Sequence, residues 1–177
     1  MSVKGIIESR YSCRGYADKP VDKAIVEEIC KTALLAPSAC NSQPWKIHAV
    51  FGAKKEALGK ALQGVGINAH VSTAPVILAI EQTHAHYYSK FDGIVQPDQW
   101  AAYDVGGLTA HIILLAKEYG LDTCVIGYNR PAEAKAALGL DESTFLPLFL
   151  TLGYAKEDGV IPAKKRKPVE EGFVIEE

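Results

Sequence analysis

The chain has 177 residues, of which 48% are hydrophobic and 23% are charged. These proportions predict one globular domain over residues 1–177 and exclude a disordered or fibrous chain. Nineteen basic residues against twenty-one acidic ones give a net charge of −2, so no overall positive field attracts nucleic acid or an anionic membrane. The longest apolar runs, such as residues 74–80, are far shorter than the roughly 20 residues of a membrane-spanning helix. We therefore expect neither a nucleic-acid nor a membrane partner.

The cysteines are scattered and lack the close pairing that is typical of zinc or iron–sulfur ligation; they are Cys13, Cys30, Cys40 and Cys124. His84 and His86 together with Asp92 form another candidate ligand set, but loop histidines of this kind are usually solvated. We expect no metal and reduced thiols. The N-terminus becomes charged within eight residues and lacks a secretory pattern, so the sequence predicts a cytoplasmic protein.

The hydrophobic pattern predicts helices and strands that follow one another along the chain. Helices are predicted over 3–9, from Asp22 to before Pro37, and over 54–62, 100–119 and 131–138. Strands are predicted over 45–51, 75–81, 123–126 and 145–154. Some connections look too short for right-handed parallel crossovers, so we predict an α+β fold with a mixed sheet surrounded by helices.

Two features point to contacts that these elements do not explain. Apolar residues surround the 100–119 helix, and Gly106 and Gly107 interrupt it at a cost of about 1 kcal/mol each relative to alanine. Either a backbone or flat ligand approaches there, or the helix packs tightly.

The C-terminal extension, 155–177, ends in a short apolar segment at 172–175 that is too small to fold alone. We expect it to pack on a partner subunit.

The first candidate binding segment is 9–14, at the end of the first predicted helix. Arg10, Ser12 and Arg14 alternate, so in an extended backbone they point to one side. Guanidinium groups with a hydroxyl suit a phosphate or the edge of a heteroaromatic ring. A solvated basic turn is the alternative interpretation.

The second segment is 36–45, a polar connection bracketed by prolines. The amides of Asn41 and Gln43 are able to form hydrogen bonds with the carbonyl and amide groups along one edge of a ring, or else they stabilise the turn.

The third segment is the basic run 164–168. In an extended strand Lys164 and Arg166 face together, while Lys165 and Lys167 face water. A solvated tail or a targeting signal is the alternative.

In this order, the segments resemble the flavin-dependent nitroreductase family, and the resemblance covers 6–168. It rests on Arg10-x-Ser12-x-Arg14, Ala36-Pro37-Ser38-x-x-Asn41-x-Gln43-Pro44-Trp45, Ala74-Pro75-Val76, Gly120-Leu121-Asp122-Thr123-Cys124-x-Ile126-Gly127, Leu152-Gly153-Tyr154 and Lys164-x-Arg166-Lys167-Pro168. The resemblance implies a largely antiparallel sheet and an intertwined homodimer that binds FMN at its interface.

The resemblance also implies roles for individual positions. Arg10, Ser12 and Arg14 would contact the FMN phosphate and the pyrimidine side of the ring, with Arg166 and Lys164 completing these sites. The positions that would reach the flavin held mainly by the other subunit are Pro37, Ser38 and Asn41. The Asn68 amide would contact the edge of the flavin. The backbone around Gly127 and Tyr128 would present a hydrogen-bond donor to flavin N5.

The chemistry implied is hydride transfer from NAD(P)H to flavin N5, followed by reduction of an electron-poor acceptor, such as a nitroaromatic or a quinone, in the same pocket. One shared pocket implies ping-pong kinetics. The chemistry belongs to the flavin, so no side chain is assigned as catalytic. Aromatic residues of the short middle segment form the candidate acceptor pocket, or simply an ordinary surface loop: Tyr87, Tyr88, Phe91, Trp100 and Tyr103.

Two other functions stay open at this point. A flavin-binding or flavin-delivery module would need the same cofactor residues but would show no significant turnover. Alternatively, the basic run at 164–167 is a binding site for an anionic partner. In that case the protein would bind nucleic acid, and the affinity would fall as the salt concentration rises.

Overall fold

A computed structural model describes residues 2–64, 66–91, 97–157 and 163–177, apart from the side chains of 91 and 97–99. The α-helices are α1 (Val3–Ser9), α2 (Lys23–Ala33), α3 (Gly52–Leu62), α4 (Pro97–Glu118) and α5 (Pro131–Leu138). The strands are β1 (Trp45–Val50), β2 (Val76–Gln82), β3 (Asp122–Ile126) and β4 (Phe145–Gly153). Every helix and strand predicted from the sequence is present, with ends that differ by a few residues.

The strands form a four-stranded sheet in the order β1-β2-β4-β3. All three neighbouring pairs are antiparallel, with Ile47 opposite Ile80, Ala79 opposite Phe149, and Cys124 opposite Thr151 as examples of the register. The predicted α+β class is confirmed. The parallel component of the described chain is an isolated bridge from Ser12 to Thr123 beside β3.

The central strand β2 has helices on both faces of the sheet. Leu78 and Ile80 belong to the core that α2 and α4 cover, whereas Ile77 and Ala79 belong to the core under α3 and α5. All four side chains are fully buried. This explains why the run is continuously apolar, since a strand covered on both faces has no polar side. Burial of each large aliphatic side chain stabilises the fold by about 1.5–3 kcal/mol.

Helix α4 leaves part of its surface exposed in the single chain, although apolar residues surround it. Val105, Leu108 and Ile112 pack into the core, while Gly106 and Ala110 are exposed on the opposite side. A Cβ added at Gly106 or at Gly107 would meet no atom of the described residues within 4 Å. Packing inside the described chain therefore does not account for the two glycines. Across the described residues, no helix has both the length and the apolar character needed to cross a bilayer.

Candidate functional site

The segment that follows α1 runs in extended form along β3. The Cys13 N–H donates to the Thr123 carbonyl oxygen at 2.9 Å, and the Cys13 side chain is buried. Because neighbouring side chains of an extended segment point to opposite sides, Ser12 and Arg14 face outward when Cys13 faces the core. The alternation predicted from the sequence is therefore realised at this segment.

A cavity of about 160 Å³ joins this segment to the basic C-terminal run, and the two are more than 145 residues apart in the chain. Its walls are Arg10, Tyr11, Ser12, Arg14, Ala163, Lys164, Lys165 and Arg166. We call it the cationic cavity. Lys165 lines it together with Lys164 and Arg166, although alternation predicts Lys165 in water. Lys167 instead lies 3.7 Å from Glu171 in an exposed ion pair.

Contacts with α1 hold the basic run in place. The Lys164 Nζ donates to the carbonyl oxygen of Ile7 at 3.1 Å and also to that of Glu8. These carbonyls lie in the last turn of α1, where backbone oxygens lack helical partners and favour a cation. Lys164 thus fastens the C-terminal run beside the N-terminal motif.

The electrostatics of the cationic cavity favour an anion. Desolvation lowers the pKa of Lys164, and the charges of Arg10 and Arg166 lower it further. No acidic side chain of the described residues lines the cavity. The Arg10 Nε is buried and has no hydrogen-bond partner among the described residues. A buried donor left unpaired costs about 1–3 kcal/mol, and an anionic acceptor would remove that cost.

A histidine that the sequence reasoning missed lies beside Arg14. His70 belongs to a 3-10 helix, Ala69–Thr73, and its Nε2 is buried without a partner among the described residues. Burial, followed by the charge of Arg14, lowers the pKa of His70 and favours the neutral imidazole. Its position close after Asn68 is the sequence signal that would have pointed to it.

Asn68 performs a local structural task. It adopts a left-handed conformation with φ 58°, and its Nδ2 donates to the Leu62 carbonyl oxygen at 3.0 Å. This bond ties the turn after α3 to the helix end. Contact of the Asn68 amide with a flavin edge stays a prediction.

Gly127 follows β3 and lines a second cavity of about 330 Å³ that includes Asn129 and Lys135, rather than the cationic cavity. A Cβ added to Gly127 would meet no atom of the described residues within 4 Å. The ring of Tyr128 packs against Gly64, where an added Cβ would lie 2.8 Å from the Tyr128 Cε1. The Gly127 backbone is thus open to an incoming group.

The connection at 36–43 is not brought to the cationic cavity of the same chain. The Ser38 Oγ accepts from the Gln43 N–H at 2.9 Å, and the Gln43 Nε2 donates to the Asn41 carbonyl oxygen at 3.2 Å. Ser38 and Gln43 therefore stabilise the turn, and for the Gln43 amide this agrees with the alternative interpretation. Asn41 is exposed. The flavin contacts assigned to Pro37, Ser38 and Asn41 remain predictions that require a second subunit.

The candidate aromatic pocket is assembled only in part. The Tyr87 and Trp100 rings make an edge contact with centroids 5.4 Å apart and planes at 71°. Tyr88 and Tyr103 are exposed, and the Lys90 Nζ lies 5.4 Å from the Tyr88 ring centroid. The Phe91 side chain lies outside the described residues.

The fold and the cationic cavity together define an α+β protein in which basic side chains from both terminal segments line one cavity. The Nitroreductase family model matches residues 7–66 and 62–154. The chain therefore belongs to the nitroreductase family. It is 31% identical over 178 residues to an NADH dehydrogenase of Thermus thermophilus, covering 85% of each chain. It is 26% identical over 198 residues to a 4-nitrobenzoate reductase of Pseudomonas putida, covering 88% of this chain and 86% of that one.

Solved structures confirm the predicted fold. A nitroreductase family protein from Streptococcus pneumoniae superposes with a TM-score of 0.84 at 22% identity, covering 99% of this chain and 100% of that one. A protein of Exiguobacterium sibiricum in complex with FMN superposes with a TM-score of 0.83 at 19% identity. The superposition covers 99% of this chain and 98% of that one.

Proposed function

We propose that this protein is an FMN-dependent oxidoreductase that takes hydride from NAD(P)H and reduces nitroaromatic, quinone or similar electron-poor acceptors by a ping-pong mechanism. The observation that carries the proposal is the convergence of Arg10, Arg14, Lys164 and Arg166 around one cavity. The similarity to an NADH dehydrogenase, a 4-nitrobenzoate reductase and an FMN-bound structure supports the same assignment.

The cationic cavity fits the phosphate of FMN. A phosphate monoester carries nearly two negative charges at neutral pH, and guanidinium groups bind its oxygens in a bidentate fashion. The phosphate charge would offset the desolvation and the repulsion from Arg10 and Arg166 that lower the pKa of Lys164. The phosphate would also supply an acceptor for the buried Arg10 Nε. The Ser12 hydroxyl is a further donor on the same wall.

When bound, FMN supplies the exchange of hydride with the nicotinamide and of electrons with the acceptor. The chain binds the cofactor and adjusts its electrostatics. Guanidinium groups near the pyrimidine side of the ring favour its reduced, negatively charged form and so raise its redox potential. The open backbone at Gly127 leaves room for flavin N5 to approach a backbone N–H there.

The proposed active form is a homodimer. The exposed part of α4 carries the small residues Ala102, Gly106 and Ala110, together with Tyr103. The extension at 155–177 carries Phe173, Val174 and Ile175, which are 65%, 69% and 70% exposed in the single chain. Apolar side chains this exposed gain stability from burial on a partner subunit. An edge strand such as β1 has backbone groups that accept an added strand from such a segment.

The test is spectroscopic. The purified protein is expected to be yellow, and NADH or NADPH is expected to bleach its flavin absorption under anaerobic conditions. Addition of a nitroaromatic or a quinone should then restore the oxidised spectrum, with parallel lines in double-reciprocal plots. A colourless protein that FMN does not reconstitute would refute the proposal. A yellow protein whose reduction is too slow to sustain turnover would identify a flavin-delivery module instead.

A further inference from the structure

The connection at 38–43 has a strained backbone. Cys40, Asn41 and Gln43 have φ angles of 53°, 52° and 48°, in the left-handed region. Such a conformation costs a non-glycine residue about 1–3 kcal/mol and persists only where surrounding contacts enforce it. Asparagine tolerates this region, whereas cysteine and glutamine do not favour it. The shape of the connection must therefore be imposed from outside.

Asp104 of α4 makes one of the enforcing contacts. Its two carboxylate oxygens lie 3.1 and 3.2 Å from the Ala39 nitrogen, so both accept from a single N–H. The contact is partly buried and spans 65 residues of sequence. Its neighbour Val105 is buried in the core, which keeps this part of α4 rigid. A second contact comes from Ser42, whose Oγ accepts from the His86 N–H at 2.6 Å.

We infer that Asp104 is a positioning residue for flavin binding, which acts by holding the Ala39 N–H and thereby the shape of 38–41. This inference rests on the proposed function, in which Ser38 and Asn41 reach the flavin of the partner subunit. Hydrogen bonds to a charged acceptor are about twice as strong as neutral ones, so the carboxylate is well suited to oppose the strain. Asp104 itself touches neither substrate nor cofactor in this account.

The experiment measures the FMN dissociation constant of the full chain by quenching of flavin fluorescence. Asp104→Ala is expected to weaken FMN binding about tenfold, since loss of one charge-assisted bond corresponds to that ratio. Asp104→Asn retains an oxygen acceptor and is expected to recover most of the affinity. The matched control is Asp18→Ala, which removes an exposed carboxylate elsewhere and should bind FMN as the natural chain does.

Ala39→Pro removes the donor of the same bond while Asp104 stays in place. Ser38 already has the extended conformation that precedes proline, with φ −144° and ψ 157°, and proline is tolerated at the first position of a helical turn. Ala39→Pro should weaken FMN binding as Asp104→Ala does. The double variant should show no further loss, because both changes remove one interaction.

Each outcome bears on a separate claim. Full additivity in the double variant, or unchanged FMN affinity in Asp104→Ala, would overturn the positioning role and leave the proposed function intact. Failure of the natural chain to bind FMN would overturn the proposed function itself. If Asp104→Ala does not fold, Ala39→Pro alone still tests the positioning role of Asp104. Full FMN affinity in Ala39→Pro would contradict that role.

Discussion

Tyr16 and Thr151 share a hydrogen bond of 2.7 Å between their hydroxyl oxygens, across 135 residues of sequence. Both side chains are buried. The Tyr16 hydroxyl also lies 3.3 Å from the Cys13 carbonyl oxygen, and the Thr151 hydroxyl lies 3.3 Å from that of Cys124. The pair therefore connects two parts of the fold. One is the extended segment that begins at Arg10, and the other is strand β4 inside the sheet.

Tyr16→Phe is expected to lower the free energy of unfolding of the apoprotein by about 1–3 kcal/mol, because the Thr151 hydroxyl and the Cys13 carbonyl oxygen each lose a hydrogen bond. Thr151→Val should have a similar effect. In the double variant, the free energy of unfolding should fall by less than the sum of the two single effects. The reason is that removal of both partners leaves fewer unsatisfied groups. Urea denaturation of the four proteins measures this, and simple additivity would show that the two hydroxyls are not coupled.

Arg10→Ala and Arg166→Ala are each expected to weaken FMN binding about tenfold to a hundredfold, because a charged hydrogen bond to a phosphate contributes about 1.5–3 kcal/mol. Lys167→Ala is the matched control, since Lys167 lies on the same run but pairs with Glu171. Titration of FMN into apoprotein gives the constants. Salt-sensitive binding of nucleic acid that depends on Lys167 as much as on Arg166 would instead favour the anionic-partner function.

Gly127→Ala separates cofactor binding from stability. Gly127 is outside the positive-φ region, and its Cβ would meet no described atom within 4 Å. The variant should therefore keep or raise apoprotein stability, by up to about 1 kcal/mol, through a less flexible unfolded chain. Its FMN affinity should fall, because the methyl group occupies the space proposed for the ring. Thermal unfolding and FMN titration together test this, and unchanged affinity would place the ring elsewhere.

Deletion of 169–177 is expected to weaken the dimer and to release FMN at the same time, because the exposed apolar segment loses its place on the partner. Phe173→Asp should act in the same direction, while Glu170→Gln, an exposed residue of the same tail, should have little effect. Analytical ultracentrifugation and flavin absorbance follow the two properties. A stable yellow monomer would contradict the role given to the tail.

His70 is expected to make the apoprotein less stable as the pH falls. Its folded pKa is lowered from 6.5, so near pH 6 the unfolded chain binds more protons than the folded one. Stability is therefore lost as the pH falls through about 6.5 towards the folded pKa, and His70→Gln should reduce that loss. In NMR titration, Arg14→Ala should raise the pKa of His70 only partway, because burial is the larger cause. A pKa at or above 6.5 in the folded apoprotein would contradict this account.

The sequence by itself determined the helices and strands and the α+β class. These properties follow from residue periodicity and composition over short windows, which local geometry converts directly into helices and strands. The motif at Arg10 and Arg14 and the basic run at Arg166 were also recognisable locally, because their charges and alternation lie within a few residues.

The tertiary structure alone decided which distant groups meet. Packing places Lys164 on the last turn of α1, Asp104 under the Ala39 N–H and His70 beside Arg14. It also separates Gly127 from the cationic cavity and leaves part of α4 exposed. Apart from the position of His70 close after Asn68, these relationships have no local signal, because each depends on how elements far apart in the chain pack against a shared sheet.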